Sequence, residues 1–223
     1  MKRILEPEDL DHLAPDDPAA IASRRDLALI NFIMRQPAIL ARALRRFPQP
    51  HTLMDLGGGD GRCLLATARR LDWRGVRAVI ADRQDIVTAR TRAGFAELGW
   101  ACAVQQGDVF DAVAQMEDDT LVTANLFLHH LDDAALAQLF AQLAEQAMGL
   151  VACEPRRDRL ALFASHMVFV LGANRVTRHD AVASVRAGFA GAELSALWPQ
   201  GGPVMERRAL PFSHLFMASR HAL

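Results

Sequence analysis

The chain has 223 residues, 51% of them hydrophobic, with a formal net charge of −1 and a pI near 6.7. That length carries a full core in one large domain, or a domain with a small appendage, and the apolar fraction excludes a disordered chain. The near-neutral charge supplies no basic field for nucleic acid, and no apolar run reaches the roughly 18 residues that a membrane span needs.

Residues 1–18 are acidic and punctuated by proline, and they read as a flexible or loosely docked lead, too polar for a signal peptide. From Ser23 the pattern turns helical. Ser23 and Asp26 form a capping-box-like start, and Leu27, Ile30 and Met34 recur at helical steps. Pro37 breaks this run into two helices, the second ending near Phe47. The pair either covers an edge of the sheet that follows or forms a lid over a pocket.

After Pro50, strand, loop and helix alternate. HTLMDL, VRAVIAD, ACAVQQ, TLVTANLFL and MGLVACE read as strands. RCLLATARRL, DIVTARTRAGFAEL, AALAQLFAQLAEQA and PRRDRLALFASHMVFVL read as helices. Alternation of this kind predicts an α/β fold with a parallel sheet and helices on both faces. The last stretch breaks the rhythm. AELSALWP and LPFSHLFMAS read as two strand-like runs joined by the turn-rich QGGPVMERRA, an antiparallel pair ending an otherwise parallel sheet.

Composition restricts the chemistry. Lys2, in the lead, is the only lysine and tyrosine is absent, so composition argues against Schiff-base catalysis and a general base must be histidine or a carboxylate. Cys63, Cys102 and Cys153 lie singly in apolar runs without metal-ligand spacing and read as buried free thiols in a reducing cytosol.

MDLGGGDGR, between the first strand and first helix, places backbone amides where a cofactor can meet them. A dinucleotide fingerprint requires a small residue at the position of Arg62, and the spacing present is Gly57-x-Gly59-x-Gly61. Asp55 before the loop and Asp60 within it would repel a pyrophosphate. A ligand with an ammonium and ribose hydroxyls but no phosphate suits these acids.

Residues 51–154 resemble a class I S-adenosylmethionine-dependent methyltransferase. The resemblance rests on DLGGGDG, the acid ending strand two (Asp82), the Gly-Asp pair after strand three (Asp108) and NLFLHHLDD at the end of strand four. The terminal antiparallel pair matches that family's seven-stranded sheet. The resemblance implies a Rossmann-like doubly wound sheet, mostly parallel, with an antiparallel C-terminal hairpin strand and added N-terminal helices. It also implies S-adenosylmethionine as cofactor. Gly57, Gly59 and Gly61 would let its methionine portion lie on the backbone, and Asp82 would accept both ribose hydroxyls. Asp108 and the Val109 backbone would face the adenine amino group, Asn125 would meet the amino acid end, and Asp55 would organise the loop.

FLHHLDD sets two histidines at the mouth of the sheet. They are surface and helix-cap residues, or metal ligands with Asp132 and Asp133 (a reading that lacks a third spaced ligand), or a general base. The stretch resembles that of small-molecule O-methyltransferases, which implies His129 as catalytic base and Glu154 as the carboxylate flanking it. His130 and Leu131 stand where those enzymes have aspartate and tryptophan. Ring C-methyltransferases also carry histidines here, so the methylated atom stays open. After strand five, Met167, Phe169 and Leu171 serve as core or as pocket. Asn174, Arg175, Arg178, His179 and Asp180 form a polar cluster, in which Arg175 and Arg178 are solvated or bind a substrate carboxylate. His130 belongs with them on the acceptor side.

Residues 1–50 are expected to be lead and helical cover, and 51–223 a methyltransferase core with an acceptor-binding insertion at about 155–190. The expected activity is methylation of a hydroxyl or carboxyl of an aromatic or polyketide-like metabolite in the cytoplasm, as part of secondary metabolism. Its partners are a small-molecule acceptor and, as an option, a second copy of the chain, with no nucleic acid, membrane span or metal. The rivals are C- or N-methylation of a quinone or heteroaromatic ring, a non-catalytic S-adenosylmethionine-binding protein and, third, a nicotinamide-dependent oxidoreductase.

Overall fold

The computed structural model describes residues 1–199 and 202–220. Strands β1 (Thr52–Leu56), β2 (Arg77–Asp82), β3 (Ala101–Gln106), β4 (Leu121–Asn125) and β5 (Gly149–Pro155) pair in parallel, and β6 (Val204–Ala209) and β7 (Ser213–Ser219) join as an antiparallel hairpin. The sheet order is β3-β2-β1-β4-β5-β7-β6. The direction of strand addition reverses between β1 and β4, which opens a crevice at their carboxyl ends, where sheets of this kind bind ligands.

Alternation along the strands assigns their side chains to two covered faces. Leu53, Ile80, Val151, Cys153 and Leu215 face one side. That side is covered by α2 (Gln36–Leu44), α3 (Arg62–Ala68) and α4 (Ala89–Glu97), through Leu40, Leu44, Leu64 and Phe95. Met54, Leu56, Val122, Leu150 and Phe216 face the other, against α5 (Val109–Ala114), α6 (Asp133–Gln146) and α9 (Glu193–Leu197). There Phe140 stacks on Phe216 at 5.5 Å and meets Trp198 at 5.2 Å. The remaining helices, α1 (Pro18–Ile33), α7 (Arg159–His166) and α8 (Arg175–Ala187), gather near the carboxyl end of β5. No single helix among the described residues is long and apolar enough to cross a membrane.

Several expected elements are corrected. The first helix begins at Pro18, not at Ser23, because Asp17 caps it by accepting from Ala19 N at 2.7 Å and proline suits its first position. Ser23 and Asp26 instead receive hydrogen bonds from α8: Thr177 Oγ1 donates to Ser23 Oγ at 2.9 Å, and Asn174 N donates to Asp26 Oδ2 at 2.9 Å. The break between the two helices falls at Arg35 (φ +57°), and Pro37 sits inside the first turn of α2. That second helix covers a sheet face, not an edge.

AELSALWP is not a strand. It forms α9, whose Leu194 and Ser195 amides donate to Glu206 at 3.1 and 2.7 Å. The strand paired with β7 is VMERRA, within the stretch expected to be a turn; Gln200 and Gly201 lie outside the described residues. Of the three thiols, Cys153 is buried while Cys63 and Cys102 are half-buried.

The acidic lead is firmly docked. Arg3 bonds to the carbonyls of Leu131 at 2.7 Å and Ala187 at 2.8 Å, pairs with Asp133 at 2.8 Å and lies over the Phe189 ring at 4.6 Å. Ile4 N donates to Arg186 O at 3.1 Å, and Asp180 accepts from the amides of Asp9 and Leu10 at 2.8 and 3.1 Å.

Candidate functional site

The glycine loop leaves β1 and enters α3. Gly57, Gly59 and Gly61 all have positive φ, at +63°, +55° and +72°. Two of them also have no room for a side chain. A Cβ at Gly57 would lie 2.2 Å from Phe127 Cδ2, and one at Gly61 would lie 2.5 Å from Ile80 Cδ1. A Cβ on Gly59 would meet nothing within 4 Å, so the loop is open at that point.

Asp82, ending β2, ties the loop in place. Its Oδ2 accepts from Gly59 N at 2.8 Å and its Oδ1 from Gln84 N at 2.9 Å. Asp55 is buried beneath the loop, where Thr123 Oγ1 donates to it at 2.8 Å. Burial pushes the Asp55 carboxyl up to about 7, the Thr123 bond opposing and the Asp82 charge adding to the rise. Asp60 turns outward to Arg62, whose Nε donates at 2.6 Å. Asp108 caps α5 by accepting from Phe110 N at 2.9 Å, and Val109 opens that helix. Asn125 ends β4, and its Oδ1 is buried without a hydrogen-bond partner among the described residues. The next residue, Leu126, has φ +54°, a strained turn at the mouth of the sheet.

That turn leads to a short 3₁₀ segment, Leu128–His130. The fully buried Glu154, from β5, organises it. Its Oε1 accepts from the amides of Phe127 at 3.1 Å and Leu128 at 2.9 Å, and its Oε2 lies 2.8 Å from His129 Nδ1. The other ring nitrogen of His129, Nε2, lies 3.3 Å from Glu8 Oε1. Burial disfavours the charged imidazole, but hydrogen bonds to Glu154 and Glu8, with their charges, outweigh it and push its pKa up to about 9. The Glu8 carboxyl is correspondingly held below its ordinary value, its bond to His129 overcoming burial. His130 moves the opposite way, lowered by burial and by the neighbouring His129 charge.

Glu8 therefore supplies a third ligating group beside His129 and His130, with candidate ligand atoms within 4.8 Å of one another. Asp132 and Asp133 are otherwise engaged: Asp132 caps α6 through Ala135 N at 2.8 Å, and Asp133 pairs with Arg3. Arg175 and Arg178 line a separate surface cavity of about 490 Å³ with His166, His179 and Val182, and no residue of the His129 cluster lines it. Met167, Phe169 and Leu171 are exposed, so they are not core. Sequence reading missed Glu8, which lies 121 positions from His129, and Ser184 of α8, which bonds to Glu8. Neither carries a local signal.

Comparison with solved structures yields matches across nearly the whole chain. An O-methyltransferase family protein from Burkholderia thailandensis shares 16% identity at a TM-score of 0.61, over 92% of this chain and 61% of its own. The plantazolicin methyltransferase BamL, in complex with a triazolic desmethylPZN analogue and SAH (S-adenosylhomocysteine), shares 9% at 0.64, over 95% and 93%. The pyocyanin biosynthetic protein PhzM shares 20% at 0.58, over 96% and 62%. The fold is that of the class I S-adenosylmethionine-dependent methyltransferases. Within this methyltransferase fold the chain spans about three fifths of the length of the first and third of these neighbours. No protein-family model and no curated protein sequence matches it.

Proposed function

We propose that the protein transfers a methyl group from S-adenosylmethionine to an oxygen of a small organic acceptor, a hydroxyl or carboxyl on an aromatic or polyketide-like body. The observation that carries this reading is the buried Glu154–His129 pair at the carboxyl end of the sheet, beside the glycine loop. It is a base held in one tautomer where such sheets bind ligands. The SAH in neighbouring structures supports the cofactor, and neighbours named for pyocyanin and for mitomycin 7-O-methylation support a role in secondary metabolism.

The residues present fit the cofactor. The unpartnered, buried Asn125 Oδ1 matches an ammonium donor, and the open face at Gly59 leaves backbone free for the methionine portion. Asp82 spends one lone pair of each oxygen on Gly59 and Gln84, which leaves others for two ribose hydroxyls. Asp108 and Val109 would meet the adenine edge, while Asp55 holds the loop from beneath. When bound, S-adenosylmethionine supplies a methyl group activated by its sulfonium.

The chain's own part is to move a proton. Once Nε2 has given up its own proton, Glu154 accepting Nδ1–H leaves the Nε2 lone pair to take the acceptor's proton, and the imidazolium formed stays paired with the carboxylate. α7 and α8 in the 155–190 insertion, with α1 stitched to α8, would frame the acceptor, and His130 would contact it beside the base. Arg175 and Arg178 could reach only an acceptor that extends to their separate cavity. A thermal-shift comparison of SAH with NAD, followed by turnover on phenolic and carboxylic acceptors, tests the reading. A ligand at 100 times its dissociation constant adds roughly 2.7 kcal/mol. Stabilisation by NAD and not by SAH would overturn it.

A further inference from the structure

The Nε2 atom that must receive the acceptor's proton already faces a carboxylate. Glu8 Oε1 lies 3.3 Å from His129 Nε2 and accepts from the Ser184 hydroxyl, while Glu8 Oε2 lies 4.0 Å from His130 Nε2. Two imidazoles from the turn after β4 and one hydroxyl from α8 thus converge on a single carboxylate, whose side chain is only 12% exposed. The His129 ring is aimed from behind. His129 Nδ1 lies 2.8 Å from Glu154, so its Nε2 is presented to Glu8, while His130 sits between Asp11, 3.5 Å from Nδ1, and Glu8, 4.0 Å from Nε2, and its single N–H serves Glu8 when Nε2 carries the proton.

We propose that His129, His130 and Ser184 form an oxyanion cup for the acidic oxygen of the acceptor, a carboxylate or ionisable hydroxyl, and that Glu8 is an intramolecular stand-in which the acceptor displaces. The cup rests on the methyltransferase reading only for the fate of the bound oxygen. The lead delivers Glu8 from two anchors, Arg3 with Ile4 on one side and the Asp9 and Leu10 amides on Asp180 on the other. A tethered carboxylate competes at high effective concentration, so an acceptor's own acid group binds wild-type protein against that competition. The same three residues, Glu8, His129 and His130, could gather around a divalent cation. The Ser184 hydroxyl favours an oxyanion, because it adds to the cluster a proton donor that an incoming oxygen can use directly.

The test uses full-length protein with benzoate as probe, titrated calorimetrically in the presence of a chelator. Glu8→Ala should bind benzoate roughly tenfold more tightly than wild type, with Glu8→Gln gaining less because it keeps the bulk and loses only the charge. Adding Ser184→Ala or His130→Ala to Glu8→Ala should remove most of the gain. Equal benzoate affinity in wild type and Glu8→Ala would overturn the proposal, as would a gain that survives both added substitutions. Zinc binding to wild type in a separate, chelator-free titration that Glu8→Ala abolishes, with benzoate binding to neither, would overturn the proposal and assign the cluster to a metal. SAH titrated into the same proteins keeps the two readings apart. Its failure to bind would overturn the methyltransferase reading, while the benzoate result, which needs no turnover, would still decide the cup.

Discussion

Glu154 grips His129 at two points, with Oε2 at 2.8 Å from the ring Nδ1 and 3.4 Å from the backbone nitrogen. Because Oε1 also accepts from Phe127 and Leu128, one side chain of β5 fixes both the shape of the turn after β4 and the direction of the ring it carries. The proposed base and the carboxylate that orients it thus come from the ends of adjacent strands.

His129→Gln is expected to lower turnover by about 10² to 10⁴, the usual contribution of a general base, with SAH affinity changed no more than a few-fold. Glu154→Gln should cost less, since the amide keeps the shape while weakening the support of the imidazolium. Steady-state turnover beside calorimetric SAH titration checks both. Near-normal turnover in His129→Gln would assign the rate to proximity or to an acceptor ionised in solution.

The pH dependence follows from the His129 pKa of about 9. With Nε2 facing Glu8 the ring holds its proton at neutral pH, so activity should rise with pH through an apparent pKa above the ordinary value of about 6.5. Glu8→Gln removes one of the two charges that raise it and should move that limb to lower pH, and His129→Gln should abolish the limb. The stability consequence has a definite sign. A folded pKa above the unfolded one stabilises fully below about pH 6.5, and that contribution is lost as pH rises through about 9. The unfolding free energy of wild type in urea titrations should therefore fall across this window relative to His129→Gln, by on the order of 3 kcal/mol. Parallel curves for the two proteins would contradict the buried ion pair.

Asp82→Ala should weaken SAH binding by roughly 2–4 kcal/mol if the carboxylate accepts both ribose hydroxyls, at about 1.5–3 kcal/mol per bond to a charged group with allowance for water. Part of the loss comes through the loop, because Asp82 also holds Gly59 N. Asp82→Asn separates the two, since its amide oxygen can still accept from Gly59. Calorimetry giving wild-type affinity for the alanine variant would remove Asp82 from the site.

Strand ends were legible where a buried parallel strand is an apolar run that stops at a polar residue, as at Asp82 and Glu154, whereas the run TLVTANLFL carries on past Asn125, where β4 ends and the 3₁₀ turn follows. The glycine loop was legible because crowding by Phe127 and Ile80 leaves few residues able to stand there. β6 was not, because VMERRA is an edge strand whose exposed charges hide its pairing. α9 was misread as a strand because its amides are capped by Glu206, a tertiary partner absent from the local pattern. Glu8 was missed for the same reason: nothing near it in the chain foretells two histidines and Ser184.

Asp55 offers a test of the loop's foundation that needs no acceptor. Its carboxyl, buried and given one hydrogen bond by Thr123, titrates at about 7 in the folded chain. Its unfolded value is about 3.9. A raised folded pKa stabilises fully below the unfolded value and is lost as pH rises through the folded one, so by pH 8 the cofactor-free protein holds a buried charge. Asp55→Asn removes that charge and keeps an oxygen for the Thr123 hydroxyl. The variant should match wild type near pH 4 and exceed it at pH 8 by roughly 2–4 kcal/mol in urea unfolding. SAH affinity should change little if Asp55 only supports the loop, and a loss of more than tenfold would make it a direct charge partner of the ligand. A variant less stable than wild type at every pH would mean that the ionised carboxylate is paired, and that the acid beneath the loop strengthens the fold.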